Sequence, residues 1–256
     1  MSPLLITGLV IAGLFILISI GYINHTVENR KLEKARLRAE LSDRLRRCTQ
    51  LSEGLPGQLM TPALKLLLTR LEQELCDRLI PLDKGNAKLS ERSQNLATEL
   101  AKGEAIEVRN PVQPIASETK AKEVRFMLED LHSQIVRGAK EGQIQAGEAK
   151  RWLQDIQRML VLLHLEFFNT TGKLALQNGQ PRQARLAFER GVQYVRKQPD
   201  PMLFKLQLNT LEKALAHADA LVLEQGQPIQ NEANQLSEGL EALDEDGLWK
   251  KKNIYE

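Results

Sequence analysis

The stretch LEFFNTTGKLALQNGQPRQARLAFERGVQYVRKQP, residues 165–199, contains the pattern that decides the fold. Gly179 lies between two segments rich in helix-favouring residues. Small residues recur on both sides of it, at Gly172, Ala184 and Gly191. Small side chains allow two helix backbones to approach closely.

This stretch resembles one tetratricopeptide repeat, a helix–turn–helix unit of about 34 residues. The resemblance assigns five positions to packing within the repeat: Gly172, Gly179, Ala184, Phe188 and Gly191. Two positions depart from the family pattern, since Pro181 replaces the aromatic residue after the turn and Pro199 comes a few residues late. Stacked repeats need about three units to bury a continuous core, and this chain shows one recognisable unit.

The resemblance also implies a concave groove, lined by the first helix of the unit, that binds a peptide or a partner helix. On this reading Asn169, Lys173 and Gln177 are partner-binding residues. The same residue types are equally ordinary on any solvated helix, so the groove stays one of two interpretations.

The composition of the 256-residue chain predicts an all-α fold. Aromatic residues make up 4% of the chain, helix-favouring residues dominate it, and no stretch alternates with a period of two. Cys48 and Cys76 each lie on the apolar stripe of a predicted helix. Because a free cysteine behaves as a small hydrophobic residue, both are predicted to be buried, reduced thiols of a cytosolic compartment.

Residues Leu4–Ile23 contain no charged side chain, and their length matches the ~30 Å hydrocarbon core of a bilayer. They predict a single transmembrane helix with the lipid bilayer as a partner. Eight basic and four acidic side chains follow between Asn24 and Arg47. This excess predicts a plasma (inner) membrane protein whose N-terminus lies outside and whose C-terminal region is cytoplasmic. A cleaved signal peptide is disfavoured because no basic residue precedes Leu4.

The chain divides by composition into an anchor (1–23), a membrane-proximal helical and coiled-coil region (24–102), a linker (103–117), a tetratricopeptide-like helical domain (118–225) and a C-terminal helix with a tail (226–256). An apolar stripe crosses the second region: Leu37, Leu41, Leu45, Cys48, Leu51 and Leu55. This stripe fits a parallel coiled coil and packing against the next helix of the same chain equally well. The linker is predicted from its two prolines and its lack of helical period.

The C-terminal region carries two heptads of an apolar seam: Ile229, Ala233, Leu236, Leu240 and Leu243. An acidic cluster, Trp249 and the run Lys250–Lys252 follow the seam. One interpretation is a last helix that folds back on the domain. The other is a docking segment in which Trp249 is the partner-binding residue, because tryptophan is enriched among interface hot spots.

The sequence predicts neither an enzyme nor a metal or cofactor site. The four histidines lie far apart, and neither a phosphate-binding glycine loop nor a nucleophile elbow is present. Nucleic acid is not expected as a partner, because the basic excess is confined to one segment. The predicted function is a single-pass membrane-anchored adaptor or scaffold that recruits protein partners at the cytoplasmic face. The alternative is a self-associating coiled-coil component of a membrane-associated division or secretion machine, and hence a homo-oligomer.

Overall fold

The computed structural model describes the backbone of residues 3–224 and, within that range, the side chains of residue 22 and residues 24–224. The α-helices of this part are α1 (Pro3–Gly54), α2 (Pro62–Leu79), α3 (Ala87–Ala101), α4 (Glu118–Lys140), α5 (Ala146–Gln177), α6 (Pro181–Arg196) and α7 (Lys205–Glu224). Short 3-10 turns occupy Gly103–Ala105 and Pro201–Phe204. The described residues contain no β-strand, which confirms the prediction of an all-helical fold.

The structure contradicts the prediction of a membrane anchor at Leu4–Ile23. Among the described residues, no helix is long and apolar enough to cross a membrane. The described charges of α1, such as Arg30 and Lys31, lie beyond Ile23, and each would cost ~2.5–3.5 kcal/mol at a bilayer centre. The side chains of residues 1–21 and 23 lie outside the described part. The prediction of a single-pass protein of the plasma membrane, with its N-terminus outside and its C-terminal region cytoplasmic, is corrected by the same finding.

The chain separates into two compact units. The first comprises the described residues up to Gly54 together with Met60–Arg109, and the second comprises Leu55–Leu59 and the described residues from Asn110 onward. The change of unit after Arg109 falls inside the segment 103–117. The assignment of Leu55–Leu59, between α1 and α2, to the second unit has no counterpart in the sequence pattern.

In the first unit, α1 and α2 pack side by side. The stripe residues Leu41, Leu45, Cys48 and Leu51 are between 1 and 7% exposed. They face the buried side of α2, which begins at Thr61, whose hydroxyl oxygen accepts a hydrogen bond from the Leu64 amide at 3.2 Å. From Leu41 to Leu51 the stripe therefore packs against the next helix of the same chain, whereas Leu37 is 41% exposed.

In the second unit, α5 and α6 form a helical hairpin, and α7 packs on α6. The turn between α5 and α6 places Gly179 at φ +71°, a left-handed conformation that favours glycine. The shared core consists of Leu165, Ala175, Ala184, Phe188, Val192, Val195, Phe204, Leu211 and Ala218. Phe188 is fully buried and stands against Gly172, while Gly191 lies against Leu211 of α7 and Phe168 of α5. All five predicted packing positions thus lie in the hairpin, and the tetratricopeptide resemblance stays a prediction.

Candidate binding cleft

The second unit contains a cleft of about 300 Å³. Three elements line it: the Leu55–Leu59 segment with Gln58 and Leu59, α5 with Leu162, Leu165, Glu166 and Asn169, and α7 with Leu206, Gln207, Thr210 and Leu211. Leucine side chains supply most of its surface and a few polar groups interrupt them. That mixture is typical of sites that bind an apolar group and fix its orientation.

The α5 wall follows from helical periodicity. Leu162, Glu166 and Asn169 are spaced by four and three residues, which places them on one face of the helix. Leu165, beside them, is 3% exposed and belongs to the core of the unit. The wall is therefore anchored by core packing, and its position does not depend on what occupies the cleft.

The second wall is held by a short network between Leu55–Leu59 and the chain that follows Arg109. The amide of Gly57 donates to the Pro111 carbonyl at 2.9 Å, and a Cβ at Gly57 would collide with the Asn110 carbonyl oxygen. The side chain of Gln58 donates to the Gln113 carbonyl at 2.6 Å and accepts from its amide at 3.1 Å. These paired hydrogen bonds fix the backbone from which Gln58 reaches into the cleft.

Gln58 and Glu166 meet across the cleft. The Gln58 Nε2 group donates to Glu166 Oε1 at 3.0 Å, with Oε2 at 3.3 Å. This contact joins the α5 wall to the Leu55–Leu59 wall. A carboxylate with an amide donor on one side keeps acceptor capacity for a donor on an incoming ligand.

The α7 wall carries the most exposed apolar side chains of the region. Leu206 is 77% exposed, and Met202 and Leu203 in the preceding 3-10 turn are 70% and 57% exposed. These three residues are called the rim. The rim is held in place by Phe204 and Leu211, which are buried in the core at 4% and 1% exposure. The exposed leucines and methionine are thus presented by a fixed backbone.

Asn169 is the one predicted partner-binding residue that lines the cleft. Its Oδ1 atom is buried and has no hydrogen-bond partner. Burying a polar group without a partner costs about 1–3 kcal/mol. The residue thus lines the cleft, while its acceptor oxygen is enclosed by the protein.

The other predicted residues lie elsewhere. Lys173 and Gln177 continue the Asn169 face of α5 by one and two turns, but both are exposed and neither lines the cleft. Trp249 lies outside the described residues. Sequence reasoning missed Gln58 and Leu206, because neither lies in a motif or in the stretch that resembles the repeat.

Perturbed titratable groups lie outside the cleft. In the first unit, burial raises the pKa of Glu72 above its ordinary value, although Arg92 opposes this by donating to the carboxylate at 2.7 Å. In the second unit, burial lowers the pKa of His132. No group of three or more His, Cys, Asp or Glu in the described part of the chain could hold a metal ion. The arrangement of the cleft is suited to binding.

Comparison with known proteins does not assign the chain to a family: no family model matches it, and neither does any curated protein or solved structure.

Proposed function

We propose that the second unit is a protein-binding module whose cleft takes an apolar helical segment of a partner protein. The observation that carries this proposal is the apolar cleft, with the exposed Leu206 in its lining and the exposed Met202 and Leu203 in the turn that precedes Leu206 in the chain. The protein then acts as an adaptor, because the cleft is a surface that can recruit a partner protein.

The rim supplies the affinity. Full burial of a leucine or methionine side chain contributes about 1.5–3 kcal/mol relative to full exposure. Since the rim residues are between 57 and 77% exposed, each can contribute about 1–2 kcal/mol when a partner covers it. Part of this is offset by the loss of translational and rotational freedom on association, so we expect reversible binding.

The polar groups supply the specificity. Glu166 presents carboxylate acceptors between leucine side chains, and Thr210 adds a hydroxyl group. A partner that places a hydrogen-bond donor between two apolar residues would use these acceptors, whereas a purely apolar segment would not. The favoured occupant is therefore amphipathic, with apolar anchors that flank at least one donor.

The alternative of a self-associating coiled-coil component stays a prediction. Of the two apolar seams typical of a coiled coil, the part of the α1 stripe from Leu41 to Leu51 is buried against α2. The C-terminal seam from Ile229 to Leu243 lies outside the described residues.

The proposal is tested by site-specific crosslinking in cells, with a photoreactive amino acid placed at position 206 of the full chain. The matched control carries the same amino acid at position 126, where Phe126 is 65% exposed on α4 and lies outside the cleft. We expect a discrete adduct with another protein at position 206, its absence at position 126, and its loss when Leu162→Glu is added. Equal adducts at both positions, or an adduct indifferent to Leu162→Glu, would contradict the proposal.

A further inference from the structure

Glu166 is the one charged residue that lines the cleft in the described part of the chain. The other lining residues are leucines and uncharged polar residues. The carboxylate is accessible, since Gln58, which donates to it at 3.0 Å, is exposed and Glu166 itself is half-buried. Because no lining residue carries a positive charge, the cleft presents a single negative charge to an incoming group.

This carboxylate is held by a neutral group. Its hydrogen-bond partner is the amide of Gln58, with the two carboxylate oxygens at 3.0 and 3.3 Å from Nε2. On α7, by contrast, the carboxylate of Glu212 bonds to the guanidinium of Arg196 at 2.8 Å. An amide donor orients a carboxylate without neutralising it, and a carboxylate has about four lone-pair sites. Glu166 can therefore accept a further donor, and that donor can be charged.

The position of the Gln58 amide is fixed by the backbone of the following segment. Its Nε2 atom donates to the Gln113 carbonyl at 2.6 Å, and its Oε1 atom accepts from the Gln113 amide at 3.1 Å. Since the same Nε2 atom donates to Glu166, the carboxylate is oriented by a side chain that is itself held at both ends of its amide group. Less side-chain freedom is then lost when a donor binds. The carboxylate is thus preorganised to accept a second donor.

Apolar side chains flank the carboxylate. Leu162 precedes Glu166 by four residues, which places it on the same face of α5 and ~6 Å away along the helix axis. Leu206 adds apolar surface from the α7 wall. A side chain that reaches Glu166 through the cleft therefore meets leucine surface on its way. Lysine and arginine match this combination, because each carries a charged head on an apolar stem.

Covering the cleft has a cost that depends on the chemistry of the partner. A bound helix excludes water from Glu166, and a buried charge without a counter-charge is strongly unfavourable. A purely apolar segment would leave this cost uncompensated, and an acidic segment would add repulsion. A basic residue offsets the cost by forming an ion pair inside the covered cleft. Glu166 thus favours one class of partner and disfavours the others.

We propose that the partner segment carries a lysine or arginine, placed between two apolar anchors, that pairs with Glu166. This inference rests on the proposed function of the cleft and specifies the partner. On a partner helix the anchors lie three or four residues before and after the basic residue, since this spacing puts all three on one face. Glu166 is then the specificity-determining residue, while the leucines supply the contact area.

The test uses the purified full chain and three fluorescein-labelled helical peptides that differ at one position. Each peptide carries two leucines seven residues apart, and the residue four positions after the first leucine is lysine, glutamine or glutamate. Fluorescence anisotropy gives the dissociation constant of each peptide. We expect the lysine peptide to bind about fivefold more tightly than the glutamine peptide, and the glutamate peptide to bind most weakly. Leu162→Glu should weaken the binding of all three.

Two substitutions of Glu166 test the ion pair directly. Glu166→Gln keeps the size of the side chain and removes its charge, so the lysine and glutamine peptides should bind with equal affinity. Glu166→Lys should reverse the order, so that the glutamate peptide binds most tightly. The matched control is Asp155→Asn, which removes a negative charge from a side chain of the same helix that is 44% exposed and does not line the cleft. This control should keep the preference for lysine, and circular dichroism checks that each variant retains its helix content.

Equal affinities of the lysine and glutamine peptides for the wild-type chain would overturn the inference. A preference for lysine that survives in Glu166→Gln, or the absence of Leu162-dependent binding for all three peptides, would overturn it as well. The photoadduct at position 206 separates this failure from a failure of the proposed function. We expect Glu166→Lys to reduce the adduct yield several-fold and Asp155→Asn to leave it unchanged. An adduct that is lost with Leu162→Glu but keeps its yield with Glu166→Lys would leave the binding function standing and refute the basic residue.

Discussion

Replacing Gly172 by alanine should destabilise the second unit, although alanine is the better helix former. A Cβ at this position would lie 2.6 Å from Cζ and 2.8 Å from Cδ1 of Phe188, with Cε1 closer still. The shortest favourable carbon–carbon separation is ~3.5 Å, so the ring or α6 must move by about 1 Å. Phe188 is fully buried among the core residues of the second unit.

The expected free-energy change follows from two opposing effects. Overpacking a well-packed core costs about 1–3 kcal/mol. Replacing glycine by alanine inside a helix contributes ~1 kcal/mol in the other direction. Since the collision involves a ring enclosed by the core, we expect a net loss of about 1–2 kcal/mol in the free energy of unfolding.

The matched control is Gly147→Ala in the same helix, where an added Cβ meets nothing within 4 Å. Without a collision, the control should be neutral or more stable by about 0.5 kcal/mol. Urea unfolding followed by Trp152 fluorescence, in a Trp249→Phe background, reports on α5 and therefore on the second unit. A local probe is needed because a chain with two compact units need not unfold in one step.

A second variant separates collision from other causes. Phe188→Leu creates space at Gly172, so the loss caused by Gly172→Ala should shrink in that background, with a coupling energy of about 1 kcal/mol. If Gly172→Ala is as stable as Gly147→Ala, or if the two changes at 172 and 188 are additive, the packing argument is refuted.

Two further predictions concern the first unit. Burial raises the pKa of Glu72 above its ordinary value of 4.5, so the folded state disfavours the charged carboxylate. The free energy of unfolding should therefore fall as pH rises from 4.5 through the raised pKa, and Glu72→Gln should remove this dependence in urea titrations. Arg92→Gln should lower the free energy of unfolding by about 2 kcal/mol more at pH 7 than at pH 4.5. Burial raises the pKa of Cys76 to about 11, and Cys48 is 1% exposed, so neither thiol should react with iodoacetamide at pH 8 until the chain is unfolded. The unfolded chain is the positive control, and rapid labelling of the native chain would contradict this prediction.

The sequence predicted the features that depend on local periodicity. The apolar spacing of α2 and the capping of its start by Thr61 depend on nearby residues, so both can be derived from the sequence. Gly172, Ala184 and Gly191 were also identifiable as close-packing positions, because a small residue on a helical face marks where another backbone approaches.

The apolar run Leu4–Ile23 shows how local reasoning can mislead. Its composition predicted a bilayer span, yet no helix in the described part of the chain is long and apolar enough to be one. The stripe on α1 left a different question open, because its spacing fits an intermolecular and an intramolecular partner equally well. Only the pairing of α1 with α2 decided between them.

The cleft itself could not be predicted. Gln58 and Glu166 are 108 residues apart in the chain and meet through a hydrogen bond of 3.0 Å. Leu206 has no special position in its helical pattern, and its importance comes from being left exposed beside that contact. By itself, the sequence determined the helices and the faces they bury, because periodicity is a property of neighbouring residues. Only the tertiary structure decided which faces meet and which apolar side chains stay uncovered, because those follow from the packing of segments distant in the chain.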